Sequence, residues 1–481
     1  MPTLQHIDVQ LSEQAKMSKT AAQLIKTVQH LWFDRGVELV IFRNTLIDKS
    51  VAEVLDLHHY TQAFVEKPIS VVDSLKIADA LLLMGTPPAK IDLGKLTYEF
   101  QFESQEYEDI DDFLVSKLMG IEYHSRITPR DVVLYGFGRI GRLLARELMT
   151  KTGNGNQLRL RAIVTRGDIT NEIIDKRLSL LKSDSIHGEF HGSVIPDYDN
   201  KALIINGTTV HLISAHQPED IDYTSYGINE ALVLDNTGAF RDKEALSRHL
   251  KANGISKVLL TAPGKGIPNI VHGVNQNDYD LDEHDIFSAA SCTTNAITPV
   301  LKAIEDTFGI ENGHLETIHA YTNDQNLVDN MHKKYRRGRA AAINMVITET
   351  GAGKAVAKAL PQLEGKLTSN AIRVPVPNGS LAILKLNLKS DVSVESINAC
   401  IKTYALEGDL VEQIKYSINN ELVSSDIIGN SAPSIFDSNA TISEHPKSCI
   451  LYVWYDNEYG YSHQVIRLAK HIARVRRFTY Y

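Results

Sequence analysis

A chain of 481 residues is too long for one ordinary domain, and two or three are expected. Hydrophobic side chains at 43% and charged ones at 23% describe a globular protein with a core of normal size. A net charge of −9 argues against nucleic acid or an anionic membrane as partner, and no apolar run is long enough to span a bilayer.

Residues 1–20 are polar and mixed and lack a signal-peptide core. Cys292, Cys400 and Cys449 make too sparse a set for a disulfide framework, and no two stand at zinc-ligand spacing. A reducing cytoplasm and no structural metal are the expectations. Residues 1–129 hold 19 acidic against 12 basic side chains, most of the acidic surplus. Ala21, Leu24, Ile25, Val28, Leu31 and Trp32 recur at helical spacing, as do Val71, Leu75, Ala78 and Leu82. Pro87 and Pro88 break the pattern, and the carboxylate-rich run 103–112 reads as a solvated linker before a short helix over 113–119. The expectation is a helical, acidic extension over 1–130.

Beyond it the character changes. Residues 132–135, 159–165, 231–234 and 257–260 are strand candidates alternating with helical segments, as in a parallel sheet flanked by helices. Longer strands over 315–318, 371–374, 381–388 and 449–454, with few helices between them, suggest a mixed sheet in a separate domain. The expected fold is α/β. A Rossmann-type doubly wound dinucleotide-binding domain spans 131–290, closed by a C-terminal helix over 456–481. An α+β catalytic domain spans 291–455.

Gly136-Phe137-Gly138-Arg139-Ile140-Gly141 follows the first of these strands and opens a helix. Glycines at these positions allow a tight turn, close approach of backbone to a pyrophosphate, and close helix–strand packing. The helix start then presents unpaired N–H groups to the anion. An acid is normally wanted at the end of the second strand, to bind ribose hydroxyls. Arg166 stands there instead, with Asp168 two residues later. Two readings stand: Arg166 pairs with the 2′-phosphate of NADP, or it is a solvated arginine while Asp168 swings back to the ribose of NAD.

Ser291-Cys292-Thr293-Thr294-Asn295 precedes a run of helical spacing, which puts Cys292 near a helix start. A thiol there is a candidate nucleophile, provided that the helix end or an imidazole favours its thiolate.

Taken with Gly136–Arg142, this stretch closely resembles glyceraldehyde-3-phosphate dehydrogenase. Ordered matches continue through Asp184-Ser185-Ile186-His187-Gly188, Asn236-Thr237-Gly238, Thr261-Ala262-Pro263 and Gly273-Val274-Asn275. His319-Ala320-Tyr321-Thr322-Asn323-Asp324-Gln325, Arg336-Arg337-Gly338-Arg339, Thr350-Gly351-Ala352-Gly353-Lys354, Ile372-Arg373-Val374-Pro375 and Trp454-Tyr455-Asp456-Asn457-Glu458-Tyr459-Gly460 complete the series. The resemblance covers roughly 131–472.

It implies a phosphorylating, NAD(P)-dependent enzyme of glycolysis or gluconeogenesis that oxidises glyceraldehyde 3-phosphate to 1,3-bisphosphoglycerate. Cys292 resembles the nucleophile that carries a thioester, and His319 the general base. Gly136, Gly138, Arg139, Ile140, Gly141, Thr237, Thr261 and Asn457 match cofactor positions, Asn457 holding the nicotinamide carboxamide. Thr322 and Arg373 match the positions for the substrate phosphate. Ser291, Thr293, Arg337, Thr350 and Gly351 match those for inorganic phosphate. A homotetramer is implied.

Departures are Ala296, where a second cysteine often stands, and Glu349, where Ser or Thr usually precedes Thr350. The extension and the basic tail Arg474-Val475-Arg476-Arg477 depart too, and opposite charge suggests that this tail lies against residues 103–112. The rivals are an erythrose-4-phosphate dehydrogenase, which generally departs at Thr350–Lys354, and a non-catalytic regulator or scaffold. The scaffold reading needs Cys292, His319 or Arg373 to be lost, and it survives only for the extension.

Overall fold

The computed structural model describes residues 4–124 and 127–481 and divides into two compact units. The larger comprises Arg130–Lys151 and Leu158–Arg474; the smaller comprises Met1–Pro129, Thr152–Gln157 and Val475–Tyr481.

Within the larger unit, an eight-stranded sheet runs in the order Ile286–Ser288, Ile255–Leu260, Ala231–Asp235, Arg130–Tyr135, Leu158–Thr165, Thr208–Ser214, Ala202–Ile205, Val194–Asp197. Its first six strands are parallel, and the last two turn antiparallel. Arg130–Tyr135 comes first in the chain but lies in the middle, so the strand order reverses around it. A crevice opens at such a reversal, beyond the carboxyl ends of the strands. The strand is apolar where it is buried, over Val132–Tyr135, as a strand covered on both faces must be.

The second sheet is mixed. Ile310–Ala320 lies at its heart, parallel to Leu367–Val374 and antiparallel to Ser380–Leu388, which pairs in turn with Ser448–Tyr455. Ser380–Leu388 buries every other side chain, and Leu384, Leu386 and Leu388 join one core with Ile297, Val300 and Leu301 of the helix Cys292–Phe308. That alternation fixes register, because a one-residue slip would turn the leucines to the opposite face. The helix expected over 456–481 is shorter, Tyr459–Ile472, and packs on Arg139–Thr150 of the dinucleotide region.

The smaller unit is not helical alone. Around Leu4–His30, Val51–Ala63, Val71–Leu83, Leu93–Glu103 and Ile110–Lys117, a four-stranded sheet runs Asn44–Thr45, Glu38–Ile41, Ala89–Asp92, Phe478–Tyr480. The last strand comes from the C-terminal tail and pairs in parallel with Ala89–Asp92. The tail therefore does meet the extension, but not where charge suggested. Arg477 is buried, stacked 4.8 Å from the centre of the Trp32 ring and bonded to Asn156. Glu103 pairs with Lys117 instead, and Arg474, in the larger unit, pairs with Asp282. Nor is 103–112 all linker: helices reach Glu103 and restart at Ile110, capped by the Asp109 carboxylate on the Asp112 N–H.

Candidate active site

Cys292 is the first residue of the helix Cys292–Phe308. Ser291 caps that helix, its Oγ accepting from the Thr294 N–H at 3.1 Å, which commits much of its bonding capacity to the cap. Just before the cap lies Ala290, a buried non-glycine residue at φ 55, a left-handed conformation that must be held by its surroundings. Tyr461 helps hold it, its hydroxyl donating to the Ala290 carbonyl at 2.9 Å.

His319 stands near the end of the strand Ile310–Ala320, with Nε2 3.6 Å from Cys292 Sγ. The parallel register sets Arg373 directly beside it on the neighbouring strand. Arg373 Nη1 comes within 2.7 Å of both His319 Nδ1 and the Ala320 carbonyl oxygen. Burial, with the Arg373 charge next, pushes His319 down to about 3. Burial pushes the Cys292 thiol up, while Arg373 and the Thr293 N–H pull less strongly the other way. Near neutral pH this geometry favours a thiol beside a neutral imidazole.

Two residues without an expected role organise the centre. Tyr455 places its buried hydroxyl 3.0 Å from Thr293 Oγ1 and 2.7 Å from Thr317 Oγ1, with its ring edge-on to His319. Ser380 takes the Ala320 N–H at 3.1 Å and donates to Asn457 Oδ1 at 2.9 Å. The Asn457 amide group thereby keeps its N–H donors for another acceptor. Tyr455 belongs to the Trp454–Gly460 motif; nothing in local sequence singles out Ser380.

The candidate anion residues divide. Thr293 and Thr350 line one small hollow with Thr317 and Asn370. Gly351 caps the helix Ala352–Ala359, whose first two N–H groups donate to Thr350 Oγ1 at 3.3 Å and Ser369 Oγ at 3.2 Å. Arg337 is buried and held by Thr348 Oγ1 at 3.1 Å and by Asp324. Thr322 is half-buried, its carbonyl accepting from the Gln325 N–H. Glu349 is exposed, and Ala296 is buried in the helix core.

On the dinucleotide side, Gly136 has φ +100, and a Cβ on Gly141 would meet the Gly136 carbonyl oxygen at 2.4 Å. A Cβ on Gly138 would meet nothing within 4 Å, so there is room beside this helix cap for a phosphate. The residues thus fit a dinucleotide. Arg139 and Ile140 open the helix Arg139–Thr150. The Arg139 guanidinium turns away to Asp184 and Glu458, leaving its backbone N–H as the group it can offer a pyrophosphate. Burial would raise Asp184, but N–H groups of His187 and Ile186 and the Arg139 charge hold it well below the usual carboxylate range. Thr237 and Thr261 both lean on Asp235, by its carboxylate and its carbonyl respectively. Arg166 is exposed, immediately after the strand Leu158–Thr165, and Gly167 beyond it has φ +80. Asp168 is exposed as well.

A doubly wound nucleotide fold joined to a mixed sheet, with a thiol facing an imidazole, defines a class: a dinucleotide-dependent oxidoreductase. The description "Glyceraldehyde 3-phosphate dehydrogenase, NAD binding domain" matches residues 130–243, and the corresponding C-terminal domain matches 291–457. A "Glyceraldehyde-3-phosphate dehydrogenase-like protein" of Pseudomonas aeruginosa is 48% identical over 458 residues, covering 94% of this chain and 98% of that protein. Such coverage is possible only if the match takes in most of residues 1–129. A glyceraldehyde-3-phosphate dehydrogenase of Streptomyces coelicolor is 40% identical over 338 residues, or 70% of this chain and 96% of its own. "Glyceraldehyde-3-phosphate dehydrogenase 2" of Bacillus subtilis is 39% identical over 343 residues, or 71% and 96%. The chain belongs to the glyceraldehyde-3-phosphate dehydrogenase family and is an NAD-dependent oxidoreductase of the phosphorylating kind.

Proposed function

We propose that Cys292 is the nucleophile toward glyceraldehyde 3-phosphate and His319 its general base, with inorganic phosphate as the second acceptor. The observation that carries this reading is Cys292 Sγ at a helix start, 3.6 Å from His319 Nε2. His319 takes the thiol proton, and sulfur adds to the aldehyde carbon. The imidazolium returns that proton to the alkoxide, giving the hemithioacetal; the ring, neutral again, takes the hydroxyl proton as hydride leaves, and a thioester on Cys292 remains. Bound nicotinamide supplies the hydride acceptor. Asn457, tied back by Ser380, orients the carboxamide. Arg373 and Thr322 hold the substrate phosphate. Arg337, Thr293, Ser291, Thr350 and Gly351 surround the phosphate that attacks the thioester; a guanidinium, hydroxyls and a helix N-terminus are what such an oxyanion needs. The division of labour follows, with 131–290 binding the dinucleotide and 291–455 the substrate.

NADP is accepted at least as well as NAD. This reading rests on Arg166, an exposed cation at the strand end where an acid would repel a 2′-phosphate. It suits a gluconeogenic direction, and a free nucleophilic thiol suits the cytoplasm. Among the described residues no helix is long and apolar enough to cross a membrane. Assembly into a homotetramer is supported by a run in the catalytic region that leaves Leu327, Val328, Met331, Tyr335, Ile343 and Met345 largely in solvent, Met331 and Tyr335 at 94% and 97%. The test is steady-state kinetics with NAD and NADP on one preparation, with erythrose 4-phosphate as the competing aldehyde. Turnover of glyceraldehyde 3-phosphate that requires phosphate supports the reading, and preference for erythrose 4-phosphate refutes it.

A further inference from the structure

Three polar atoms beside Cys292 form a triangle that cannot be satisfied all at once. His319 Nδ1, the Ala320 carbonyl oxygen and Arg373 Nη1 lie 2.7 Å from one another. Each separation is a hydrogen-bond length, so each asks for one proton between its two atoms. Nη1 has two N–H groups and can serve both Nδ1 and the carbonyl. Nδ1 is then a lone pair pressed against a carbonyl lone pair, with no proton between them. Alternatively Nδ1–H donates to Ala320, and an Arg373 N–H is driven against it. The two arrangements exclude each other.

They differ in what faces the thiol. A neutral imidazole carries one proton. If Nδ1 accepts from Arg373, that proton sits on Nε2, which turns a donor toward Cys292 Sγ and has no lone pair to receive the thiol proton. If Nδ1 donates to Ala320, Nε2 offers its lone pair across the same 3.6 Å. The hydrogen bond at one ring nitrogen decides the role of the other.

We infer that Arg373, besides binding the substrate phosphate, switches His319 between these tautomers, so that arrival of the phosphate turns the imidazole into a base. The inference rests on the proposed assignment of Arg373 to that phosphate. A phosphate dianion draws both Nη1 protons toward itself, because charge-assisted bonds to oxyanions are stronger than bonds to a neutral imidazole or carbonyl. Nδ1 is left to donate to Ala320, and the lone pair appears at Nε2. The dianion also offsets one of the two guanidinium charges, Arg373 and Arg337, that disfavour a proton on His319. Both effects make the ring accept the thiol proton. Geometry keeps Arg373 close: the paired strands hold it beside His319, and its buried Nε has no hydrogen-bond partner among the described residues to draw it elsewhere. The proton ledger is simple. One proton leaves Sγ and arrives on Nε2, and the ring becomes a cation that donates at both nitrogens.

The device gives selectivity by chemistry as well as affinity. An aldehyde without phosphate can enter, but it meets an imidazole in the wrong tautomer.

The test uses the full-length enzyme with histidine labelled at both ring nitrogens, His319 being identified by its loss in His319→Asn. Nitrogen shifts distinguish Nδ1–H from Nε2–H. The expected result is the Nε2–H form alone and the Nδ1–H form, or the imidazolium, with glycerol 3-phosphate at a concentration that blocks substrate competitively. In parallel, inorganic phosphite should raise the first-turnover rate on unphosphorylated glyceraldehyde by about tenfold or more. It should also shift the acid limb of the pH profile upward. In Arg373→Met neither response should occur. A ring already Nδ1–H without the anion overturns the inference, as does a ring unmoved by an anion that competes with substrate. So does a phosphite response that survives in Arg373→Met. Failure of wild-type turnover with glyceraldehyde 3-phosphate would instead sink the functional reading itself.

Discussion

Two buried polar clusters, one around Asp92 in the smaller unit and one around Cys292 in the larger, are handled differently. In the smaller unit one such cluster is satisfied at its centre: the Asp92 carboxylate, wholly buried, accepts from the N–H groups of Phe42 and Lys95 and pairs with Arg43, although Arg43 Nε, Gln157 Oε1 and Arg477 Nε of that unit have no partner among the described residues. His58 is buried between the Val54 carbonyl and Ser74 Oγ, each ring nitrogen with one partner. Around Cys292 the reverse holds. His319 and Arg373 compete for one carbonyl, and burial disfavours charge on both reacting groups. The contrast separates polar groups that specify a fold from polar groups kept under tension for chemistry.

The comparison can be broken most sharply at the nucleophile. Cys292→Ser should lower turnover by about 10⁴-fold or more while leaving dinucleotide binding and thermal stability near wild type. Near-normal turnover in that variant would show that the thiol is not the reacting group. His319→Asn should cost less, about 10²–10⁴-fold, with slower alkylation of Cys292 by iodoacetate at neutral pH.

Asp92→Ala sits on the other side. It should cost roughly 3–5 kcal/mol of stability, since it strands Arg43 and two N–H groups, while turnover per folded enzyme holds. Chemical denaturation beside kinetics on the folded fraction checks it; a loss of turnover without a loss of stability would erase the distinction.

A smaller effect belongs to Arg166→Asp. It should shift the ratio of catalytic efficiencies toward NAD by about 10–100-fold, the scale of a lost charge-assisted bond. A strong NAD preference unmoved by the substitution would mean that Arg166 is not at the ribose.

A last effect is on acid stability. Burial, with the Arg373 charge next, pushes His319 down from its ordinary 6.5 to about 3 in the fold. Above pH 6.5 neither the folded nor the unfolded chain holds that proton. Below it the unfolded chain takes a proton that the folded site refuses, so stability falls with acid between roughly pH 6.5 and 3. His319→Asn should flatten the slope in that window, as measured by denaturant midpoints at several pH values.

How far the sequence spoke follows the same divide. Gly136, Gly138 and Gly141 were legible because a backbone turn at a pyrophosphate admits little else, and Cys292 at a helix start was legible from the apolar spacing after it. The sheet of the smaller unit was not. Phe478–Tyr480 pairs with Ala89–Asp92 across most of the chain's length, through strands of three and four residues with no periodicity to read. Opposite charge does not locate Arg477, because its flat guanidinium lies over Trp32 in a buried position. Arg373 was legible as an anion ligand, but its contact with His319 depends on which strands are neighbours, and only the fold decides that.

The central claim is a thioester on Cys292, and it has a direct measurement. Wild-type enzyme is mixed with glyceraldehyde 3-phosphate and excess oxidised cofactor without inorganic phosphate, followed in time and then digested for mass analysis. The account predicts a burst of a single equivalent of reduced cofactor per chain and an acyl group on the peptide bearing Cys292, with turnover resuming when phosphate is added. Sustained turnover without phosphate, or a burst with Cys292 unmodified, would contradict it.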